Sequence, residues 1–233
     1  MTCRDRRIPF RFSAAVGGVV VALAAAACTS DSGGSGGRIS VEEFEGKAKS
    51  VTAGAPCPFA FDVARALKTV GANRPVVPDS PPAEGGSSPA EPAQPARPSG
   101  PTSPAMPAIP AVPARSSISC SYLVGDADLS LTVIASPAAK TAQNFALPLL
   151  MHDGGMAMDQ ATTFVSTLLP PGSARVTPGA GTAAFYRVPV SGDGDIGLVV
   201  GVEGHDDADA PLPDLTGAHL ETLAMELGKA VKG

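Results

Sequence analysis

Residues 118–136 read ISCSYLVGDADLSLTVIAS and contain two apolar stretches on either side of a short polar turn. In the second stretch the apolar residues fall at every second position, which is the pattern of a strand with one buried face. These residues are Leu129, Leu131 and Val133. Residues 125–128 have the composition of a turn between antiparallel strands. The segment therefore predicts a β-hairpin with strands at 118–124 and 129–136.

A second pair of strands is predicted further along the chain, at residues 182–190 (TAAFYRVPV) and 195–204 (DIGLVVGVEG). The sequence SGDG at 191–194 joins them, and Gly/Asp turns of this kind supply the positive φ angles that tight hairpins require. The glycines at 179 and 181 are interpreted as a turn that leads into the first of these two strands.

Helical spacing is found before, between and after the hairpins. Pro58 is suited to the first position of a helix that Gly71 ends. A helical stretch begins at Pro137, and Pro148 is expected to kink or break it. Residues 157–169 are interpreted as a helix or a loop.

The last predicted helix lies near residues 216–231, and Asp214 or Thr216 is expected to cap its first turn. Its apolar side chains form one stripe, as in a helix packed on a core. They are Leu220, Leu223, Leu227 and Val231. Two hairpins with helices around them predict an α+β fold, an antiparallel sheet packed against helices.

A proline-rich segment, residues 74–115, interrupts this domain. Nine prolines follow one another at every third position from Pro89 to Pro113. A polyproline II helix has three residues per turn, so these 24 residue steps would form a rod of about 75 Å. The segment is predicted to be a long disordered Pro/Ala-rich insertion. The alternatives are an arm directed at the cell wall and a repeated P-x-x-P peptide ligand.

The first 27 residues have the zones of an export signal. Four arginines precede an apolar stretch at residues 14–27, which is shorter than the roughly 20 residues of a membrane-spanning helix. The sequence AAAC at residues 25–28 resembles the lipobox of bacterial lipoproteins. We therefore expect a signal peptide at 1–27, lipidation of Cys28, and a Gly/Ser-rich flexible tether at 28–38. A single extracytoplasmic domain is expected at 39–233.

Two cysteines remain once Cys3 and Cys28 are set aside. Cys57 and Cys120 would lie in a compartment that permits disulfides, and an even number of cysteines in an exported chain favours one bridge. A metal-binding cysteine pair or a catalytic thiol is the alternative. A metal site would call for more cysteines or clustered histidines, and the three histidines of the chain are scattered.

Three short motifs in this order resemble a family of actinobacterial lipoproteins of unknown function. They are Pro56-Cys57 before a helix, Cys120-Ser121-Tyr122 in a strand, and a G-x-G-x-x-A pattern that starts at Gly179 and introduces a strand. The resemblance covers residues 55–229. It implies a lipid anchor and the Cys57–Cys120 bridge, and it implies no known chemistry.

Composition narrows the classes of partner. Residues 1–27 contain four basic side chains and one acidic side chain, so the rest of the chain carries 13 basic and 21 acidic groups. Such an acidic domain is expected to bind no nucleic acid, because that binding depends on phosphate neutralisation. The chain has no tryptophan and two tyrosines, which leaves few stacking platforms for sugars or bases. No cofactor is predicted.

Three weak candidates for chemistry were compared with ordinary structural roles. Carboxylates at 193–195 and 203–214 suggest calcium but lack EF-hand spacing. The methionines at 151, 156 and 158 with His152 suggest Cu(I), which prefers sulfur ligands. His205 precedes two aspartates, yet no G-x-S-x-G nucleophile motif occurs in the chain. A solvated loop or core packing explains each stretch better, so no catalytic, metal or ligand-binding residue is predicted.

These observations favour a lipid-anchored, non-enzymatic domain on the extracytoplasmic face of the cell membrane. It is expected to bind a small molecule, an envelope component or a partner protein, with Cys28 as its link to the membrane. The alternative is an envelope adaptor that acts through its Pro-rich arm. A small exported hydrolase is the least favoured hypothesis.

Overall fold

The computed structural model of the chain describes residues 37–52, 55–78, 88–97, 110–204 and 212–233. The predicted signal peptide, the lipidation site Cys28 and most of the tether lie outside the described residues, as does His205. The chain divides into two units at residue 35, and all described residues belong to the second unit. The predicted α+β fold is confirmed, because the described residues form one antiparallel sheet with helices on both faces.

Seven strands are described. They are β1 (Val76–Pro78), β2 (Ser88–Glu91), β3 (Arg115–Val124), β4 (Ala127–Ser136), β5 (Ala174–Val176), β6 (Ala183–Val188) and β7 (Asp195–Gly204). The order across the sheet is β1-β3-β4-β7-β6-β5, and β2 pairs with the other end of β3. Every pair of these strands is antiparallel.

Six α-helices are described, together with one short 3-10 helix, Pro213–Leu215. They are α1 (Val41–Ser50), α2 (Val63–Thr69), α3 (Ala142–Phe145), α4 (Leu147–Asp153), α5 (Met158–Ser166) and α6 (Gly217–Gly228). The predicted break at Pro148 is confirmed, because α3 ends at Phe145 and Pro148 lies in the first turn of α4.

The two predicted hairpins form the centre of the sheet. Cys120 lies opposite Leu131 in the β3–β4 pair, and β4 pairs along its whole length with β7. The turn between β3 and β4 is shorter than predicted, with only Gly125 and Asp126 between the strands. Gly125 has a φ of 61°, as a two-residue hairpin turn requires. The first face of the sheet carries the even residues of β3, which are buried.

The first face is covered by α1, α2 and α6, which together with it enclose the larger core (the first core). Alternating residues of four strands supply its floor. Its largest fully buried side chains include Ile39, Phe44, Leu67, Ile118, Leu129, Leu131, Ile196, Leu198, Leu215 and Leu220. The predicted stripe of the last helix lies in this core, with Leu220, Leu223 and Leu227 buried.

The second face is covered by α3, α4 and α5, and its core (the second core) is smaller. It consists of Ile134, Ala142, Ala146, Leu150, Met156, Ala161, Phe164, Leu169, Ala183, Phe185 and Val199. Gly197 of β7 lies under the Phe185 ring, and a Cβ atom there would come within 2.4 Å of two ring carbons. A glycine is therefore required where the Phe185 ring packs against β7.

Two helix predictions are wrong at the N-terminal end of the helix. The helix expected from Pro58 begins at Val63, because the Asp62 carboxylate caps the backbone N–H of Arg65 at 3.0 Å. Residues 57–61 form an irregular segment that buries Phe59 and Phe61. At α6, neither predicted side chain caps the helix, since the Asp214 carboxylate binds Arg74 and the Thr216 hydroxyl donates to the Pro213 carbonyl.

The prediction of a disordered insertion at 74–115 is wrong for its described parts. Val76–Pro78 and Ser88–Glu91 pair with β3, which itself begins at Arg115. Gln94 and Val112 exchange two backbone hydrogen bonds of 2.8 and 2.9 Å, so the chain reverses between them. One straight rod through all nine prolines is thereby excluded. Residues 79–87 and 98–109 of the segment lie outside the described residues.

Candidate functional site

A disulfide joins Cys57 to Cys120, as predicted, with a Cα–Cα distance of 5.6 Å. It connects the irregular segment before α2 to the centre of β3, 63 residues away in sequence. On the chain-entropy model, closing a loop of this length stabilises the folded state by roughly 4 kcal/mol. The bridge also fixes the position of the residues that directly follow Cys57.

A groove of about 470 Å³ opens beside this bridge, between α1, residues 58–66 and the end of α6. We call it the Phe59 groove. Its floor is apolar, because Phe59 is 4% exposed and lies next to the buried side chains of Ala66 and Leu227. The Phe59 ring stacks on Phe44 at 6.0 Å between centroids and contacts Phe61 at 5.6 Å. Two neighbouring rings therefore hold the floor in place.

The rim of the groove carries four cations, Lys47, Arg65, Lys229 and Lys232. Lys229, directly after α6, is paired with Glu226 of that helix. Among the described residues the other three cations form no ion pair, although the chain as a whole is acidic. Besides Glu226, the lining has one other acidic side chain, Asp62, and its carboxylate caps α2.

An apolar floor under a cationic rim can hold an anion that has an apolar portion. Each ammonium or guanidinium group can donate charge-assisted hydrogen bonds to a carboxylate or phosphate. The aromatic floor can cover the apolar part of the ligand, as in most small-molecule sites. None of the described lining residues is Ser, Thr, Cys or His, the side chains most used for nucleophilic catalysis.

A second groove, open and about 620 Å³ in volume, lies between α5 and β5. Arg175 is its only cation among the described residues. The guanidinium stacks over the Phe164 ring at 5.5 Å and donates to the carbonyl oxygens of Phe164 and Thr167. The Arg175 guanidinium is already bonded within the protein, so this groove offers a ligand fewer free cationic groups than the Phe59 groove does.

The acidic residues considered for calcium are separated by the fold. Asp195 is 1% exposed and binds the Arg187 guanidinium at 2.8 Å, whereas Asp193 is exposed on the preceding turn. Asp214 accepts two hydrogen bonds of 2.9 Å from Arg74. Residues 205–211 lie outside the described part of the chain. Asp195 and Asp214 therefore serve as structural ion-pair partners.

The methionines considered for Cu(I) are also separated. Met156 is buried in the second core, while Met158 is 62% exposed. His152 lies instead beside two carboxylates, those of Asp153 and Glu203. Asp153 and this arrangement were missed by sequence reasoning, because Glu203 belongs to β7 and His152 to the end of α4.

The Phe59 groove was likewise not predicted from the sequence. Its cations come from α1, α2 and the last residues of the chain, and only the fold brings these parts together. The local signal at the groove, Cys57-Pro58-Phe59, was interpreted only as the start of a helix.

Comparison of the chain with known protein families, curated proteins and solved structures gave no match. Within the described residues, no helix combines the length and the apolar character needed to cross a bilayer.

Proposed function

We propose that the protein is a lipid-anchored, extracytoplasmic, non-enzymatic domain that binds an anionic ligand with an apolar portion in the Phe59 groove. The observation that carries the proposal is the set of three cations that form no ion pair with any described residue, Lys47, Arg65 and Lys232, above a buried aromatic floor. An isolated cluster of this kind in an acidic chain repels itself, and an anionic ligand would relieve that repulsion.

The proposed location rests on the lipobox at Cys28 and on the disulfide. A disulfide such as Cys57–Cys120 forms and persists in oxidising compartments outside the cytoplasm. The resemblance to actinobacterial lipoproteins supports the same location.

The groove lies next to the end of the predicted tether, and this position indicates where its ligand would come from. Arg38, the last residue of the predicted tether, forms a backbone bridge with Lys232 at the rim of the groove. Ten residues of extended chain from Cys28 span at most about 35 Å. A lipidated Cys28 would therefore keep the groove close to the membrane surface, where amphiphilic envelope components are found.

The proposal can be tested by calorimetry on the chain without residues 1–27, with dodecyl phosphate below its micelle concentration as the probe. Replacing Lys47, Arg65 and Lys232 together by Gln should weaken binding at least about tenfold, since each loses a charge-assisted hydrogen bond. The matched control replaces Lys68, Arg97 and Lys140 by Gln, which changes the net charge equally at exposed positions outside the groove lining. Equal loss in both variants would show bulk charge attraction and overturn the proposal.

A second test asks whether the aromatic floor contacts the apolar part of the ligand. Phe59→Leu keeps an apolar floor but removes the stacking on Phe44. It should weaken dodecyl phosphate binding and leave the weaker binding of inorganic phosphate unchanged. If both ligands lost affinity equally, the floor would not be contacting the alkyl chain.

An adaptor acting through the Pro-rich segment is the second candidate function. One observation favours it: residues 88–97 and 110–117 run antiparallel on the edge of the sheet, so the Pro-rich chain leaves the sheet and returns to it at neighbouring positions, Gln94 and Val112. Replacing residues 98–109 by a short Gly/Ser link leaves β2 and β3 intact. A variant that still binds dodecyl phosphate supports the groove, whereas loss of binding favours the arm.

A further inference from the structure

A second group of potential ligands lies outside the Phe59 groove, where the end of α4 meets the end of β7. His152 Nδ1 is 2.9 Å from Asp153 Oδ1 and 3.5 Å from Glu203 Oε1. One ligand atom from each of these three residues lies within 4.8 Å of the other two. The group combines an imidazole nitrogen with two carboxylate oxygens, which distinguishes it from an acidic surface cluster.

The Asp153 carboxylate is held in place by the sheet beneath it. Its side chain is 11% exposed, and Ser130 of β4 donates a hydrogen bond of 3.3 Å to Oδ2. Gly201 of β7 leaves the space that this carboxylate occupies, because a Cβ atom there would lie 2.3 Å from Oδ2. Oδ2 thus contacts the protein, while Oδ1 faces His152.

The backbone around Asp153 is fixed as well. The Thr182 hydroxyl donates a hydrogen bond of 2.6 Å to the Asp153 carbonyl oxygen. Glu203 lies near the end of β7, opposite Asp128 in the β4–β7 ladder, and its carboxylate reaches His152 from there. Two of the three ligand residues therefore stand on fixed backbone, and a site built on such supports needs little rearrangement to bind.

The charges of the group also favour a bound cation. Two carboxylates flank one imidazole, with oxygens 2.9 Å and 3.5 Å from its Nδ1. A divalent metal ion bound among these three side chains would face two negative charges and one neutral nitrogen ligand.

We propose that His152, Asp153 and Glu203 bind a divalent transition-metal ion, with zinc as the best chemical match. Zinc accepts imidazole nitrogen and carboxylate oxygen in four-coordinate sites and leaves a fourth position to water. Calcium takes six to eight oxygen ligands, which this group does not supply. Cu(I) prefers sulfur, and the described Met156 is buried in the second core.

The test is a zinc titration of the chain without residues 1–27, stripped of metal and monitored by calorimetry. We expect one zinc ion per chain, and His152→Ala and Glu203→Gln should each weaken binding at least about tenfold, because losing a residue that only orients a metal ligand already costs about that much. His219→Ala is the matched control, because His219 is exposed on α6, away from the group. Binding that His152→Ala and Glu203→Gln leave unchanged would overturn the proposal.

The third histidine of the chain provides the competing explanation, since His205 is followed by two aspartates. NMR signals of the three imidazole rings, assigned by single His→Ala variants, distinguish the two. Zinc should shift the His152 signal first and at a one-to-one ratio. If His205→Ala abolishes binding and the His152 signal stays in place, the zinc belongs to the 205–207 stretch and the proposal fails.

Discussion

The two faces of the sheet are stabilised in different ways. The first face carries α1, α2 and α6, helices of 10, 7 and 12 residues, and its core is almost entirely apolar. The second face carries helices of 4, 7 and 9 residues over a smaller core. Short helices bury little apolar surface, so their positions must be fixed by other means. On the second face, buried polar side chains fix them.

The centre of this polar network is the buried pair Arg187–Asp195. The Asp195 carboxylate accepts hydrogen bonds of 2.8 Å from Arg187 Nε and 2.9 Å from the backbone N–H of Ala142. Arg187 also donates to the Leu169 carbonyl oxygen. Gln143 adds hydrogen bonds to the carbonyl oxygens of Phe164 and Thr167. The network thus joins β6 and β7 to α3 and to the end of α5.

The largest effect is expected from Asp195→Ala. Removing one partner of a buried pair leaves the other charge uncompensated, which costs about 3–5 kcal/mol of the free energy of unfolding. Urea unfolding followed by circular dichroism would measure the change. Asp193→Ala, on the same turn but exposed, is the control and should lie within about 0.5 kcal/mol of the unmodified protein. A loss below 1 kcal/mol at Asp195 would show that the pair does not fix the second face.

The disulfide is the corresponding support of the first face. Replacing Cys57 and Cys120 together by Ser should lower the free energy of unfolding by about 2–4 kcal/mol. Native-state hydrogen exchange sharpens the comparison, because the loss of protection should begin at α2 and residues near Phe59. Early loss at α3–α5 instead would mean that the two faces unfold as one unit.

A smaller effect is expected at the ion pair Arg74–Asp214, which closes the edge of the first face. Arg74 holds the pKa of Asp214 below its ordinary value, chiefly through a hydrogen bond. A carboxyl with a lowered folded pKa stabilises the protein above its unfolded pKa, and this contribution disappears as pH falls through the folded pKa.

Asp214→Asn should therefore cost about 1 kcal/mol or less near neutral pH, as for other partly exposed pairs. The difference from the unmodified protein should shrink when pH is lowered through and below the ordinary range of an aspartate. Stability curves at several pH values would measure it, with the exposed Asp159→Asn as the control. A difference that persists at low pH would assign the effect to packing and not to charge.

The sequence predicted those parts of the fold that depend on local patterns. The hairpins at β3–β4 and β6–β7 follow from alternation and from their turns, and the stripe of α6 follows from helical spacing. The helix α1 was missed, although Ser40 and Glu43 form a complete capping box at its start. This capping pattern was overlooked because a Gly/Ser-rich tether precedes it directly.

The parts that escaped prediction depend on contacts distant in sequence. Val76–Pro78 and Ser88–Glu91 are short strands with prolines, and they form only because the edge of β3 offers them hydrogen-bonding partners. Both candidate sites have the same origin. Lys47 and Lys232, or His152 and Glu203, become neighbours through packing that no local pattern encodes.

The last comparison concerns two hydroxyls of β3, one on each face. Ser116 is 2% exposed, and its hydroxyl has no hydrogen-bond partner in the part of the chain that the structure describes. Ser119 faces the other way and shares a hydrogen bond of 3.0 Å with Thr132. Ser116→Ala should therefore leave the protein unchanged or stabilise it by up to about 1 kcal/mol, because an unpaired buried hydroxyl is unfavourable.

Ser119→Ala should have the opposite sign and destabilise the protein by about 0.5–1.5 kcal/mol, the net value of one hydrogen bond. Thermal unfolding of the two variants, side by side, compares the faces at a single strand and with the same chemical change. A destabilising Ser116→Ala would show that the hydroxyl is bonded in solution, so that polar contacts also support the first face. The contrast between an apolar face closed by a disulfide and a face fixed by hydrogen bonds would then no longer hold at β3.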